Sequence, residues 1–285
     1  MVEPESKRMC TLSWLPRVGL GTFKLRGDAC TDVVLSALKA GYRSIDTASV
    51  YRNEEAVAQG LLKSGIPRSE VFITTKIKPQ DQGEQAAYDA AKASLERLGC
   101  QYVDLLLIHW PGAAKTGRGS DANRQKRHGS WLALQRLQQE GLARHIGVSN
   151  FLIPHLEQLV GDPAVVLVPE VNQIEVHPRF QQRELREWCN GHGILVQAYA
   201  SLGTGLLLGD ECVTRIAKSA NATPAQVLLA WGLARSAAVI PKASSEVRVV
   251  ENLGCVDLAL EPEALDDLDN LDGGTKICWD PDGIA

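Results

Sequence analysis

Close cysteine pairs are missing from this chain. Its seven cysteines, Cys10, Cys30, Cys100, Cys189, Cys212, Cys255 and Cys278, are scattered, odd in number and never spaced as CxxC. That argues against a disulfide framework and against a structural zinc site, and fits a reducing compartment. Charge of one sign is also lacking: 30 basic residues against 34 acidic ones leave a formal net charge of −4, with both signs mixed along the chain. No electrostatic footprint for nucleic acid or an anionic membrane is present. The one basic stretch, Arg118 to Arg127, reads as a solvated loop. No uncharged apolar run reaches the roughly 18 residues of a membrane span. The start, "MVEPESKRMC", is charged and has no apolar core, so neither a signal peptide nor a membrane span is expected. A cytoplasmic protein, monomeric and acting on a small molecule, is the expectation. Pro/Gly-rich linkers, low-complexity segments and sequence repeats are absent too, so residues 1–285 are expected to form one domain, at a length that α/β barrels reach.

What the chain does have is alternation. Short apolar runs, "RVGLG" (17–21), "YRSID" (42–46), "VFITTK" (71–76), "VDLLLIH" (103–109), "HIGVS" (145–149), "EVNQI" (170–174), "LVQAY" (195–199) and "AVIP" (238–241), read as strands. Between them, stretches such as 84–98, 130–140, 153–160, 181–190, 224–235 and 245–253 carry apolar residues at helical spacing. About eight such pairs without a break predict an α/β fold of the closed (β/α)8 TIM-barrel kind. "WLPRVGLGTF" has room for a small N-terminal β-hairpin closing the barrel floor. Residues 112–129, polar and Gly-rich, are too long for an ordinary connection and read as a lid loop; the tail "TKICWDPDGIA", with Trp279, reads as a second.

The strands end in chemistry: Asp46, Lys76, His109, Ser149 with Asn150, Gln173, Tyr199 and Lys242. In a barrel these ends converge on one mouth, the face where active sites are built. Asp46, Lys76 and His109 would sit side by side, with Asp46 the natural partner of a buried Lys76. "SIDTASVY" sets Asp46 and Tyr51 five positions apart, a separation that joins them in neither a strand nor a helix. If the chain turns back after strand two, Tyr51 returns over the mouth. A phenol, with an ordinary pKa of about 10, is a weak acid near neutrality. A Lys76 ammonium within reach would lower it, and a lowering of two units corresponds to roughly 2.7 kcal/mol. His109 beside it would orient a carbonyl, and Trp110 would wall an apolar pocket. "GVSN" and "NQ" supply groups able to hold a carboxamide, and Tyr199 a face for a ring to stack on. Lys242, Ser244 and Arg248 at a helix start make a phosphate site. Together they describe a pocket for a nicotinamide dinucleotide.

Two patterns suggest instead a Rossmann dehydrogenase: "GTGLLLG" (203–209) and the YxxxK pair of Tyr88 and Lys92. Their order along the chain is wrong for that fold, in which the glycine loop comes first. The motifs "GYRSIDTASVYRNE", "ITTK", "LLLIHWP", "IGVSNF", "VNQIEVHP", "QAYASLG" and "IPKASS…R…EN" run in one order over about residues 16–256, and in that order the chain resembles the aldo-keto reductases. The resemblance implies a (β/α)8 barrel that reduces an aldehyde or ketone with NADPH. It implies a tetrad of Asp46, Tyr51, Lys76 and His109, and substrate contacts at Phe23, Val50, His109 and Trp110. For the cofactor it implies Thr22, Asp46, Ser149, Asn150, Gln173, Tyr199, Leu202, Lys242, Ser244, Arg248, Glu251 and Asn252, with Lys242 and Arg248 placed for the 2′-phosphate. No metal is implied. Ala200 and Ala243 stand where the family usually has serine, and the C-terminal segment is short beside the steroid- and aldose-reducing branches. Two other readings stay open: a cofactor-binding redox sensor with slow turnover, and a Schiff-base lyase built on Lys76.

Overall fold

The computed structural model describes residues 14–235 and 237–285; the charged start, on which the signal-peptide expectation rests, lies outside them. Eight parallel strands follow one another in sequence order: β1 (Leu20–Gly21), β2 (Ser44–Asp46), β3 (Phe72–Ile77), β4 (Val103–Ile108), β5 (Ala143–Ser149), β6 (Val171–Glu175), β7 (Leu195–Tyr199) and β8 (Ala237–Val239). The ends meet: Val18 bridges Val239, Gly21 bridges Lys242, and the Gly21 N–H donates to Pro241 O at 3.0 Å. Gly21 is required at this seam, because a Cβ there would lie 2.7 Å from Ile240 O. The architecture is a (β/α)8 barrel. No hairpin forms among the described residues before β1; Val18 pairs with β8 instead, and Leu15 and Trp14 plug the barrel floor.

The helices are α1 (Gly27–Ala40), α2 (Glu54–Ser64), α3 (Glu84–Leu98), α4 (Ala122–Gln139), α5 (Ile153–Val160), α6 (Arg183–Gly191), α7 (Glu211–Ser219), α8 (Pro224–Ala234), α9 (Glu246–Leu253) and α10 (Pro262–Asp269). Local signals set their ends. Thr223 and Gln226 form a reciprocal cap with Pro224 in the first turn of α8. Gly41, Gly65 and Gly99 end α1, α2 and α3 in the left-handed conformation that only glycine adopts freely. No helix among the described residues is long and apolar enough to cross a membrane.

Strand alternation divides the side chains between two cores. Outward residues such as Ile73, Leu106 and Ile146 pack under the helices. The inward set rises from apolar to polar. Phe72, Leu105, Leu107, Val171, Leu195 and Ala238 pack with Leu15 at the floor. Two or four residues further along, the same faces present Lys76, Gln173 and Gln197, each 2% exposed or less. The fold therefore delivers polar groups to one end of a dry barrel.

Sequence expectation and structure part company at residues 112–129. The basic stretch is a solvated loop only in part: Arg118, Arg124 and Lys126 are exposed, but α4 begins at Ala122, and Asn123 and Arg127 are 1% and 2% exposed. Arg127 Nη1 donates to Pro111 O at 2.8 Å and to Ala285 O at 3.0 Å, and Nη2 donates to Gln158 Oε1. Burial pulls this guanidinium down to about 10. Composition alone hides such an arginine, because its partners are mostly backbone oxygens.

Candidate active site

The turn that carries Tyr51 is held from several directions. After Asp46 the chain continues the β2–β3 pairing through Thr47 N–H to Thr74 O at 2.9 Å, then makes a short 3₁₀ turn over Ser49–Tyr51. Ser49 Oγ donates to Lys76 O at 2.9 Å, and Asn53 Nδ2 to Thr22 O and Leu25 O at 2.9 and 3.1 Å. Thr47 Oγ1 closes the loop on Asn53 Oδ1 at 2.7 Å. Arg52, at φ 54°, turns the chain into α2. The five-residue gap is thus spent leaving a strand and coming back across its end.

Beneath this turn lies a dry ion pair. Lys76 Nζ is 2.6 Å from Asp46 Oδ1 and donates also to Thr47 O at 2.9 Å, with Lys76 fully buried. Gln173 Nε2 takes the second oxygen, Asp46 Oδ2, at 2.7 Å and reaches Gln197 Oε1 at 2.7 Å. Burial pulls the Lys76 ammonium below its ordinary value, against the opposing charge and hydrogen bond of Asp46.

Tyr51, half-buried, stands with its ring 5.1 Å from Lys76 Nζ and edge-on to His109, centroids 5.5 Å apart at 77°. The expected lowering of its pKa is not found. Burial pushes the Tyr51 phenol well above its usual range, and the Asp46 charge adds to this. The physical reason is that the ammonium is spent on Asp46 and Thr47, so it offsets little of the desolvation. Burial, and then the Lys76 charge, drive His109 well below its ordinary pKa, leaving the imidazole neutral with Nδ1 buried and unpartnered.

Aromatic groups form the outer wall. Phe23 packs on Tyr51 at 5.1 Å, and Trp279 of the tail meets Phe23 edge-on at 5.7 Å. Val50 is exposed on the turn beside Tyr51; half-buried Trp110 is fixed through its carbonyl by Gln82 Nε2 at 2.6 Å. Thr22 is not in the open pocket: it is fully buried, its Oγ1 donating to Asp46 O at 2.9 Å.

On the other side of the mouth, Asn150, left-handed at φ 64°, donates to His109 O and Ser149 Oγ at 2.9 and 3.1 Å and accepts from the Tyr199 hydroxyl at 2.7 Å. Ser149 Oγ donates to Gln173 O at 2.8 Å. Tyr199 is thereby a fixed, half-buried platform next to the amides. Further out, Lys242, Ser244 and Arg248 are exposed where α9 starts; Arg248 Nη1 reaches Ser244 Oγ at 3.5 Å, and neither cation has a carboxylate partner among the described residues. Ser245 gives α9 no side-chain cap. Within α9, Glu251 O accepts from Gln226 Nε2 at 3.0 Å and Asn252 is buried; half-buried Leu202 follows β7 and packs against the core. The Rossmann-like patterns lie elsewhere: Tyr88 bonds Glu140 at 2.7 Å on the surface of α3, and residues 203–209 form a 3₁₀ turn after β7.

Three contributors escape motif reading. Gln197 orients Gln173, Asn53 ties the Tyr51 turn to the β1 loop, and Glu175 binds the tail through Ile277 N–H at 2.8 Å. Gln197 and Glu175 were legible as the inward positions of "LVQAY" and "VNQIE"; Asn53 gave no signal beyond its place at a helix start.

Residues 17–272 match the Aldo/keto reductase family model. The chain is 43% identical over 271 residues to a glyoxal reductase of Bacillus subtilis, covering 95% of this chain and 94% of that protein. It is 46% identical over 268 residues to an aldo-keto reductase of Mycolicibacterium vanbaalenii, covering 94% and 92%, and 40% identical over 274 residues to a 9,11-endoperoxide prostaglandin H2 reductase of Trypanosoma cruzi, covering 95% and 92%. Among solved structures, an aldo-keto reductase from a Medee basin deep-sea metagenome library superposes with a TM-score of 0.87 at 36% identity, over 95% of this chain and 96% of that one.

Proposed function

The chain belongs to the aldo/keto reductase family, and on that premise we propose that it reduces a small aldehyde or ketone to the alcohol using NADPH, with Tyr51 as the proton donor. One observation carries the reading: a phenol and a neutral imidazole meet edge-on at 5.5 Å over the mouth, directly above a buried Asp46–Lys76 pair.

The residues on the far side of the mouth fit a nicotinamide dinucleotide. Ser149, Asn150 and Gln173 offer the hydroxyl and amide groups a carboxamide needs, beside a Tyr199 ring locked by its own hydrogen bond. Lys242 and Arg248, without carboxylate partners among the described residues at the uncapped start of α9, suit a 2′-phosphate. When bound, the cofactor supplies the hydride that goes to the carbonyl carbon.

The chain's own residues do the rest. Tyr51 keeps its proton because burial and Asp46 hold its pKa up, and gives it to the carbonyl oxygen as negative charge develops there. His109, neutral, hydrogen-bonds the same oxygen and sets its direction. The Asp46–Lys76 pair, with its bonds to Thr47 O and Gln173, braces the floor under the phenol and holds the Tyr51 turn in place. Phe23, Val50, Trp110 and Trp279 keep the site largely apolar, and the absence of a charged side chain among these four suits a compact, uncharged carbonyl.

The name of the glyoxal reductase relative directs the first screen to vicinal dicarbonyls, followed by simple aldehydes, quinones and keto-sugars, each with NADPH and NADH. Tyr51→Phe should lower kcat with NADPH by about 10²–10⁴-fold, the usual worth of a positioned acid. Full kcat in that variant would remove Tyr51 from the chemistry. NADPH that binds but is oxidised by none of these carbonyls would favour the sensor reading.

A further inference from the structure

One inward step beyond Gln173, β6 ends in Glu175, whose side chain is fully buried. Its carboxylate takes the Ile277 N–H on Oε1 at 2.8 Å and the Cys278 N–H at 3.2 and 3.1 Å on Oε1 and Oε2. His177 Nε2 lies 3.1 Å from Oε1 and Lys276 Nζ 3.9 Å from Oε2. Burial pushes this carboxyl up, but the hydrogen bonds from His177 and the two backbone N–H groups outweigh it, and its pKa lies below the usual range. An ionised carboxylate is therefore clamped on two successive amides of a segment more than a hundred residues away in sequence.

From that clamp the tail runs across the mouth. Ile277 packs where the chain turns after β7, its Cδ1 3.3 Å from where a Cβ on Gly203 would be. Trp279, one residue past the clamped amides, meets Phe23, and Phe23 meets Tyr51. The far end is tied down separately: His155 Nε2 is 2.9 Å from Ile284 O, Ala285 N–H donates to Arg118 O at 2.8 Å, and Arg118 Nη1 donates to Asp282 O at 2.6 Å. Trp279 itself is 62% exposed. Its place is set by the two ends of the strap more than by its own burial.

We propose that Glu175 is a positioning residue for substrate selection: by clamping Ile277 and Cys278 it holds Trp279 against Phe23 as the outer wall of the pocket. This rests on the carbonyl-reductase reading above. Removing the charge frees the near end of the strap, and the wall retreats while Tyr51, Lys76 and His109 stay where they are.

The test has two readouts. In the wild-type protein, amide hydrogen exchange should show Ile277 and Cys278 protected, and Glu175→Gln should accelerate both at least tenfold. With NADPH, methylglyoxal and phenylglyoxal serve as compact and bulky carbonyls. Glu175→Gln should change the ratio of their kcat/KM values at least fivefold, acting through KM, with kcat for methylglyoxal within twofold of wild type. Trp279→Ala should shift the ratio in the same direction, and the double variant should go no further. Unprotected amides in the wild type would overturn the proposal, and this needs no variant to fold. So would an equal loss for both carbonyls, or shifts that multiply in the double variant. A protein inert toward every carbonyl would sink the reductase reading, whereas protected amides with an unmoved ratio would sink the Glu175 proposal alone.

Discussion

Asp46→Asn removes a charge from the driest part of the site and barely changes its shape. Wild-type Asp46 accepts Lys76 at 2.6 Å on one oxygen and Gln173 at 2.7 Å on the other, so the variant leaves a fully buried ammonium without its bonded carboxylate, with the charge of Glu54 acting on it only through space. Breaking a buried pair in this way typically costs about 3–5 kcal/mol. The cost has a ceiling, because Lys76 can shed its proton: taking a lysine from its ordinary 10.4 to neutrality at pH 7 costs about 4.6 kcal/mol, at roughly 1.36 per unit. Unfolding entropy of about 2.1 cal/mol/K per residue gives ~0.6 kcal/mol/K for 285 residues, so the melting temperature should fall by about 5–8 °C. The sign with pH follows. In the variant Lys76 is neutral when folded and, below about 10.4, charged when unfolded. The unfolded state then binds the extra proton, and the loss should shrink as pH rises from 7 towards 10. Thermal melts at several pH values measure this, and adding Lys76→Met should recover most of the stability, since no buried charge remains. A variant melting within about 2 °C of wild type at pH 7, or a loss indifferent to pH, would refute the reasoning.

His109 makes a second pH prediction. Its pKa is held well below the ordinary value when folded, so stability from this group is present above about 6.5 and is lost as pH falls below it; His109→Phe should flatten that limb in pH-dependent melts. Arg127→Met leaves Pro111 O and Ala285 O without their donor and should cost about 3 kcal/mol by chemical denaturation. Arg248→Ala should raise KM for NADPH about tenfold or more and leave KM for NADH little changed, read by steady-state kinetics.

The barrel was legible because strand period and helix period alternate without interruption, and helices 84–98 and 153–160 fall at the boundaries the pattern indicates. The convergence of Asp46, Lys76, His109 and Tyr51 followed from counting strand ends. What stayed hidden obeys a different logic. Arg127 and Asn123 look like surface residues in sequence; Asn123 instead ties together its own preceding loop through Ala113, Gly117 and Arg118, and Arg127 joins Pro111 O to the distant Ala285 O. β8 is shorter than its apolar run, since Pro241 offers no N–H and the chain there turns to meet Gly21. The direction of the Tyr51 shift could not be read from proximity to Lys76, because that ammonium's hydrogen bonds go to Asp46 and Thr47. A nearby charge acts on a pKa only with what its own partners leave over.

The commitment of Asp46 and Lys76 to one another has a further consequence, for reactivity. A carboxylate with both oxygens already accepting hydrogen bonds, from Lys76 and from Gln173, presents no unoccupied oxygen to a substrate C–H. An amine bound as an ammonium to Asp46 and Thr47 O has no lone pair to attack a carbonyl and form an imine. Both side chains are of the kind that barrels of this shape can turn to enolisation or Schiff-base chemistry. Here each silences the other, and the phenol and imidazole above them are left as the hydrogen-bonding groups that a carbonyl oxygen entering the mouth would meet.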